Sequence, residues 1–462
     1  MSKSALLFLL IFFGGLIAAV FFLPVASFLV YQLVYFINPD DSWWSASIPG
    51  LRYSFTVVVI MILTLAVNYR NYTERAAWGD QPILKWLLAI LIMYMIMLNF
   101  AIVPVLHKRF LIDFVKLIVI IFVAYKLVNT ERALDACLWA YILGATYIGI
   151  VVYQTGRNSG DRVEGLGMVD TGGDSNMVAA ALAPSLVILI YMAWLGNKKI
   201  KALTFFCGAL IANGVVLINS RGAFLGVVLG AAFFLFYMLF SKYRRKGQRG
   251  TAIFVILAGL SGGLYVADDT FWERMQTLTL AQEDAGASGS RRTDYWRATF
   301  DVMEDYPMGV GIGGFQVVSK QYLPSSNFVN RDIGRAVHST WFQLLGELGW
   351  PGPILFIGLL ITITRLSGKT KRSLIAEGRY EAYFKMLALE GALLAYLICA
   401  TFIDRSRAEI LYWLILFIAI GVNVYYLQSA GQRTSQVAGA KKTKQAACAS
   451  QTDIGTKRKK AI

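Results

Sequence analysis

His338 opens the run His338-Ser-Thr-Trp341-Phe-Gln-Leu-Leu-Gly-Glu347-Leu-Gly349-Trp-Pro-Gly352, at the mouth of an apolar stretch. Histidine, with an ordinary pKa of about 6.5, is the side chain best suited to accept a proton at neutral pH. The chain has one other, His107, beside Lys108 and Arg109. Arginines gather in the same gaps between apolar blocks: Arg157, Arg162, Arg221, Arg291, Arg292, Arg331, Arg335, Arg405 and Arg407. A guanidinium grips phosphate oxygens with two parallel hydrogen bonds and stays charged at any working pH. Arg221, in Asn219-Ser220-Arg221-Gly222 at the edge of an apolar block, stands out because burying it demands a partner. That partner is an anionic ligand, a lipid phosphate or a local carboxylate such as Asp174. One arginine alone reads as snorkelling to head groups, and one histidine alone as structural. Several arginines with one histidine suggest a pyrophosphate or other polyanion beside a proton acceptor.

The elements that must hold these residues are membrane helices. Of the 462 residues 57% are hydrophobic and only 16% charged, too much apolar side chain for a soluble domain. The apolar residues come in blocks long enough to cross a bilayer. Spacing predicts an all-α polytopic chain with spans at 5–37, 51–67, 83–101, 110–128, 134–153, 177–195, 200–218, 222–240, 252–266, 341–364, 383–401 and 410–426. That makes twelve crossings with both termini cytoplasmic. The first block, interrupted at Pro24, also fits two short spans, making thirteen and placing the N-terminus outside. It is too long for a signal peptide and is expected to be retained. The formal charge of +16 sits in short gaps (Lys198–Lys201, Lys242–Arg249, Arg365–Arg372) and in the tail. This is the positive-inside pattern, not a nucleic-acid surface. The expected organisation is a bundle over 1–266, an outer loop domain over 267–338, a second bundle over 339–428 and a basic tail over 429–462.

The same alternation sends the arginine-bearing loops and His338 to the outer face. There 290–306 reads as a helix capped by Ser288 or Ser290 and closed by Pro307. Arg292, Tyr295, Trp296, Thr299, Phe300 and Met303 recur along it at helical spacing. Gly309-Val-Gly311-Ile-Gly313-Gly314 lacks the strand and helix of a dinucleotide site and reads as a tight turn approaching a helix or head group. Outer acids such as Asp268, Asp294, Asp301 and Asp305 form no tight pair near the histidine, so no metal is expected. The four cysteines form neither a disulfide framework nor a CxxC motif. Glu347 and Glu390 lie in apolar blocks, where an ionisable group is either functional or paired by a neighbour.

Three pieces in this order resemble the O-antigen ligase and polymerase family of bacterial envelope glycosyltransferases. They are Asn219-Ser-Arg221-Gly-Ala-Phe-Leu-Gly226, then Ser290-Arg-Arg292-Thr-Asp-Tyr-Trp296-Arg with its Pro-Met-Gly-Val-Gly sequel, and the His338 run. The resemblance covers roughly 176–366. It implies a Gram-negative inner-membrane enzyme with a periplasmic site and an undecaprenyl-pyrophosphate-linked glycan as donor. In ligases the acceptor is a sugar hydroxyl of lipid A-core. It carries catalytic roles onto Arg221, Arg292 and His338, with Arg291 an adjacent rival to Arg292. Arg157, Arg162 and Arg335 are further candidates for phosphate contact. No cofactor, metal or nucleic acid is implied, and membrane lipids are the surroundings. An O-antigen polymerase and a protein O-oligosaccharyltransferase differ only in acceptor. A lipid flippase would require broken mid-membrane helices or inverted repeats, and no internal repeat is visible.

Overall fold

The computed structural model describes residues 2–266, 269, 271–273, 288–323 and 336–428. Among them there is no strand, only isolated bridges at Ser159–Arg162 and Leu166–Gly173 in one loop. The helices are α1 (Lys3–Phe21), α2 (Val25–Ile37), α3 (Tyr53–Val67), α4 (Pro82–Ile96), α5 (Pro104–Leu127) and α6 (Glu131–Thr155). Then come α7 (Ser175–Leu195), α8 (Lys198–Ile218), α9 (Arg221–Phe240), α10 (Gln248–Val266) and α11 (Ser288–Asp305). The chain continues with α12 (Thr340–Leu348), α13 (Pro351–Ala376), α14 (Tyr380–Ala400) and α15 (Glu409–Val422). Among the described residues, nine helices are long and apolar enough to cross a bilayer.

Three boundaries differ from the sequence expectation. The 5–37 block breaks at Leu23-Pro24, where proline cannot continue the hydrogen-bond ladder. Its halves fold back on each other, so that a side chain at Gly15 would collide with Val30. The start of α1 then lies beside the 38–52 loop, with Phe8 5.3 Å from Trp44 and 5.2 Å from Tyr53 between ring centroids. This is the two-helix arrangement that the sequence had left open. The expected span at 341–364 is two helices, because Gly349 turns with φ 62° and Pro351 starts a new helix. The new helix, α13, runs on through Arg365–Arg372, which had been expected to be a connecting gap. Finally, α5 begins six residues early and takes His107 into its first turn.

The bundle has two distinct ends. At one, Arg379 meets Glu131 at 2.8 Å, Lys385 meets Asp135 at 2.7 Å and Arg245 pairs with Glu381. At the other, Arg405 meets Asp170 at 3.0 Å and the Val163 N–H donates to Leu217 O at 3.3 Å. The basic gaps and the loops carrying the candidate arginines therefore occupy opposite ends. At the centre lie α7, α14 and α15, with Trp413 buried among Phe28, Tyr35, Phe36 and Tyr141.

Two features place the site. Gly222, Gly226 and Gly230 repeat every four residues along α9 and form one stripe, which lets its backbone lie against α14. A Cβ at Gly226 would come within 2.5 Å of both Ala395 O and Cys399 Sγ. Close backbone approach through small residues is the usual way membrane helices gain packing contact. Replacing Gly226 by valine is expected to destabilise the fold by ~1–3 kcal/mol, lowering the melting temperature of detergent-solubilised protein.

The second feature is an outer layer with its own apolar core: Tyr295, Ala298, Val302, Met303, Val310, Phe315, Val318, Leu323, Val337 and Leu345. Trp296 stacks on Phe342 at 5.3 Å, fixing α11 across α12. The glycine turn seals this layer to the bundle. Gly309, Gly311 and Gly313 all take positive φ (88°, 74° and 76°), the region open to glycine at little cost. Between them the Val310 and Gly311 N–H groups donate to Gly346 O and Glu347 O, capping α12. The approach is to helices: a Cβ at Gly311 would sit 2.6 Å from that of Ala101.

Candidate functional site

The turn between α8 and α9 is built for an exposed-end arginine. Asn219 takes the left-handed conformation (φ 56°) that ends α8, as asparagine tolerates. Ser220 is extended at the cap position of α9, and Arg221 is the first residue of that helix. The Asn219 amide reaches toward Asp161 at 3.4 Å, joining the turn to the 156–174 loop. The glycine stripe then holds this end of α9 against the end of α14.

A cavity of about 260 Å³ opens at this junction, its lining including Arg162, Asn176, Ser220, Arg221, Arg292 and Phe402. Three candidate arginines thus converge from three separate segments of the chain. Arg162 is held by Glu164 at 2.7 Å, while its Nη2 is buried without a hydrogen-bond partner among the described residues. The first N–H groups of α9, with no side-chain cap, add positive potential at the same place. Asn176 stands in the first turn of α7, whose cap is Asp174. Asp174, a possible partner of Arg221 in the sequence, thus has a capping role.

His338 flanks this cavity without being among its lining residues. Its N–H donates to Asp404 Oδ2 and that of Ser339 to Asp404 Oδ1, each at 3.0 Å. Its ring lies 6.5 Å from that of Tyr295, one helical turn beyond Arg292 on α11. Asp404 directly follows Ile403 of the cavity wall. The loop carrying Asp404 is stapled to α12. Thr340 Oγ1 donates to Ile403 O at 2.8 Å and accepts from the Arg405 N–H at 3.0 Å. Burial raises the Asp404 carboxyl pKa above its ordinary value, opposed by the charge of His338.

Other candidates find structural roles. His107 is fully buried, its Nδ1 accepting the Ile312 N–H at 3.0 Å, which leaves Nε2–H to donate to Tyr94 O at 2.9 Å. Arg405 is engaged by Asp170, and Arg407 by Glu347 and Tyr94. Glu347 lies in the outer layer and not in a span, held also by Gln343 at 3.0 Å. Lys371 reaches Glu390 at 2.6 Å. Removing Arg407 strands a buried carboxylate, so Arg407→Ala is expected to cost about 3 kcal/mol, read as a lowered unfolding midpoint, with Glu347→Gln costing less. Arg157 is half-buried in the same loop as Arg162, outside the cavity wall. Arg291 lies on α11 beside Arg292. Arg331, Arg335 and the tail 429–462 lie outside the described residues.

Residues 206–357 match the family model for O-antigen ligase. That segment, about a third of the chain, is similar to the O-antigen ligase family. The matched segment runs from α8 into the start of α13 and holds Arg221, Arg292 and His338. No curated protein matches the chain. The match points to glycosyl transfer of the ligase or polymerase type, and the apolar helices to a multi-pass membrane protein. Asn176 and Asp404 lie outside the matched segment, and no motif in the sequence marks them. The one signal for Asp404 is an acid flanked by arginines in a short turn between spans.

Proposed function

We propose that the protein moves a glycan from an undecaprenyl-pyrophosphate carrier to a sugar hydroxyl of lipid A-core, at the periplasmic face of a Gram-negative inner membrane. One observation carries this reading: Arg221 and Arg292, from distant helices, line one cavity at the end of the bundle opposite its basic gaps. In this mechanism Arg221 and Arg292 bind the pyrophosphate, with Arg162 beside them and with Arg157, Arg291 and Arg335 as further contacts. They stabilise the charge that grows on it as the bond from sugar C1 to the phosphate oxygen breaks. His338 takes the proton of the acceptor hydroxyl, whose oxygen attacks C1 from the opposite face and inverts it. The carrier pyrophosphate leaves with the bonding electron pair. With arginines neutralising the leaving group, neither nucleotide nor metal is called for.

Purified protein in vesicles, given lipid-linked glycan and lipid A-core with EDTA and no nucleotide, tests this. Glycan on lipid A-core is the expected product. Longer lipid-linked glycan would replace the ligase reading with a polymerase, and a product on protein would make it an oligosaccharyltransferase. Absence of any covalent change would sink glycosyl transfer by this site.

A further inference from the structure

Among the described residues only four that are not glycine have a clearly positive φ: Asn38, Asp170, Asn219 and His338. Asparagine and aspartate tolerate this region because their short polar side chains bond locally. Histidine is found there too, but its Cβ still makes the conformation a costly one. At His338 (φ 55°) the backbone is strained, and such strain persists where the surroundings over-determine it.

The determinant is Asp404. Its two oxygens take the N–H groups of His338 and Ser339, one each, at 3.0 Å. The carboxylate cannot swing away. Thr340 ties the carbonyl before it and the N–H after it to α12, and the next side chain, Arg405, is anchored on Asp170. An acid in this position does two things at once. It fixes the direction in which the histidine leaves the main chain, and it sets a negative charge beside the imidazole.

We propose that Asp404 is the positioning residue of the catalytic histidine, holding His338 in its left-handed turn and favouring the imidazolium formed when the acceptor hydroxyl yields its proton. The inference rests on the reading of His338 as general base. Among the described residues Asp404 is a counter-charge to the histidine. Glu347, which also acts on Asp404, is neutralised by Arg407. Arg405 is neutralised by Asp170. Arg292, one turn before Tyr295, faces the cavity, and Tyr295 presents its ring. Burial raises the Asp404 carboxyl pKa, yet the interaction with a charged His338 pulls it back down. By reciprocity, an ionised Asp404 favours the charged form of the ring.

The test compares wild type with Asp404→Asn and Asp404→Glu in the full-length protein, folded yield being checked by gel filtration. The chain has two histidines and His107 is fully buried, so carbethoxylation by diethylpyrocarbonate reports the pKa of His338 without any substrate. In Asp404→Asn that pKa is expected to fall by about one unit. The acidic limb of the transfer rate, which requires neutral histidine, then moves to lower pH by the same amount. Transfer at neutral pH is expected to drop about 100-fold, with the donor KM unchanged and partial recovery in Asp404→Glu. A folded Asp404→Asn protein with unshifted histidine reactivity, or with wild-type transfer, overturns the proposal. Failure of the parent reading looks different: His338→Ala would stay active whatever Asp404 does.

Discussion

Arg292→Ala is expected to lower glycan transfer by about three orders of magnitude, with insertion and folding intact. The group that leaves in the proposed reaction is a pyrophosphate, whose negative charge increases as the bond to sugar C1 stretches. Arg292 lines the cavity from α11, and its loss leaves Arg221 and Arg162 to meet that charge from the floor. The residue stands on the outer layer, whose apolar core lies further along the same helix at Tyr295, Ala298 and Val302, so its removal is expected to leave that core packed. Arg221→Ala is expected to be comparably inactive. Lysine at either position keeps the charge and loses the fork, so activity should return only in part. The measurement is glycan transferred per unit of membrane-inserted protein, in a strain lacking its own ligase and with the purified enzyme. Wild-type transfer by Arg292→Ala protein would remove pyrophosphate binding from this cavity.

His338→Ala should lose about 10²- to 10⁴-fold, the range of a single positioned base. Here the split between constants is informative. Donor affinity, carried by the arginines, should be unchanged while turnover collapses. The alanine also has to adopt the left-handed backbone, so some loss of stability accompanies the substitution. His338→Gln, which retains shape and a polar tip, controls for that and should be equally inactive. Full transfer by either protein would end the general-base assignment.

Much of this site could be read from residue order. Serine, arginine and glycine at a span boundary marked Arg221, since a guanidinium at the edge of hydrocarbon needs an anion. Helical spacing over 290–306 located α11 within two residues of its start and one of its end. Hydropathy failed where a short apolar helix serves the outer layer instead of crossing the bilayer. Thr340–Leu348 is as apolar as a span, yet it covers the outer core, and Gly349 and Pro351 end it. The pairing of arginines was also hidden. Arg405 and Arg407 look like Arg221 on the page, but Asp170 and Glu347 that neutralise them lie 235 and 60 positions away. Asp404 carries no sequence signature because it touches the histidine through main-chain amides, which no side-chain pattern records.

The three left-handed glycines after Pro307 have a consequence for genetics. A single-base change in a glycine codon gives alanine, valine, serine, cysteine, aspartate, glutamate, arginine, tryptophan or a stop. All of the residues carry a Cβ, and at Gly311 that atom would press on Ala101 and the His107 ring. A saturation screen scored by surface glycan would therefore rank Gly309, Gly311 and Gly313 with Arg221, Arg292 and His338. Only a parallel measure of protein abundance would divide the two groups, since the glycine variants should vanish from the membrane while the arginine and histidine variants persist there, silent.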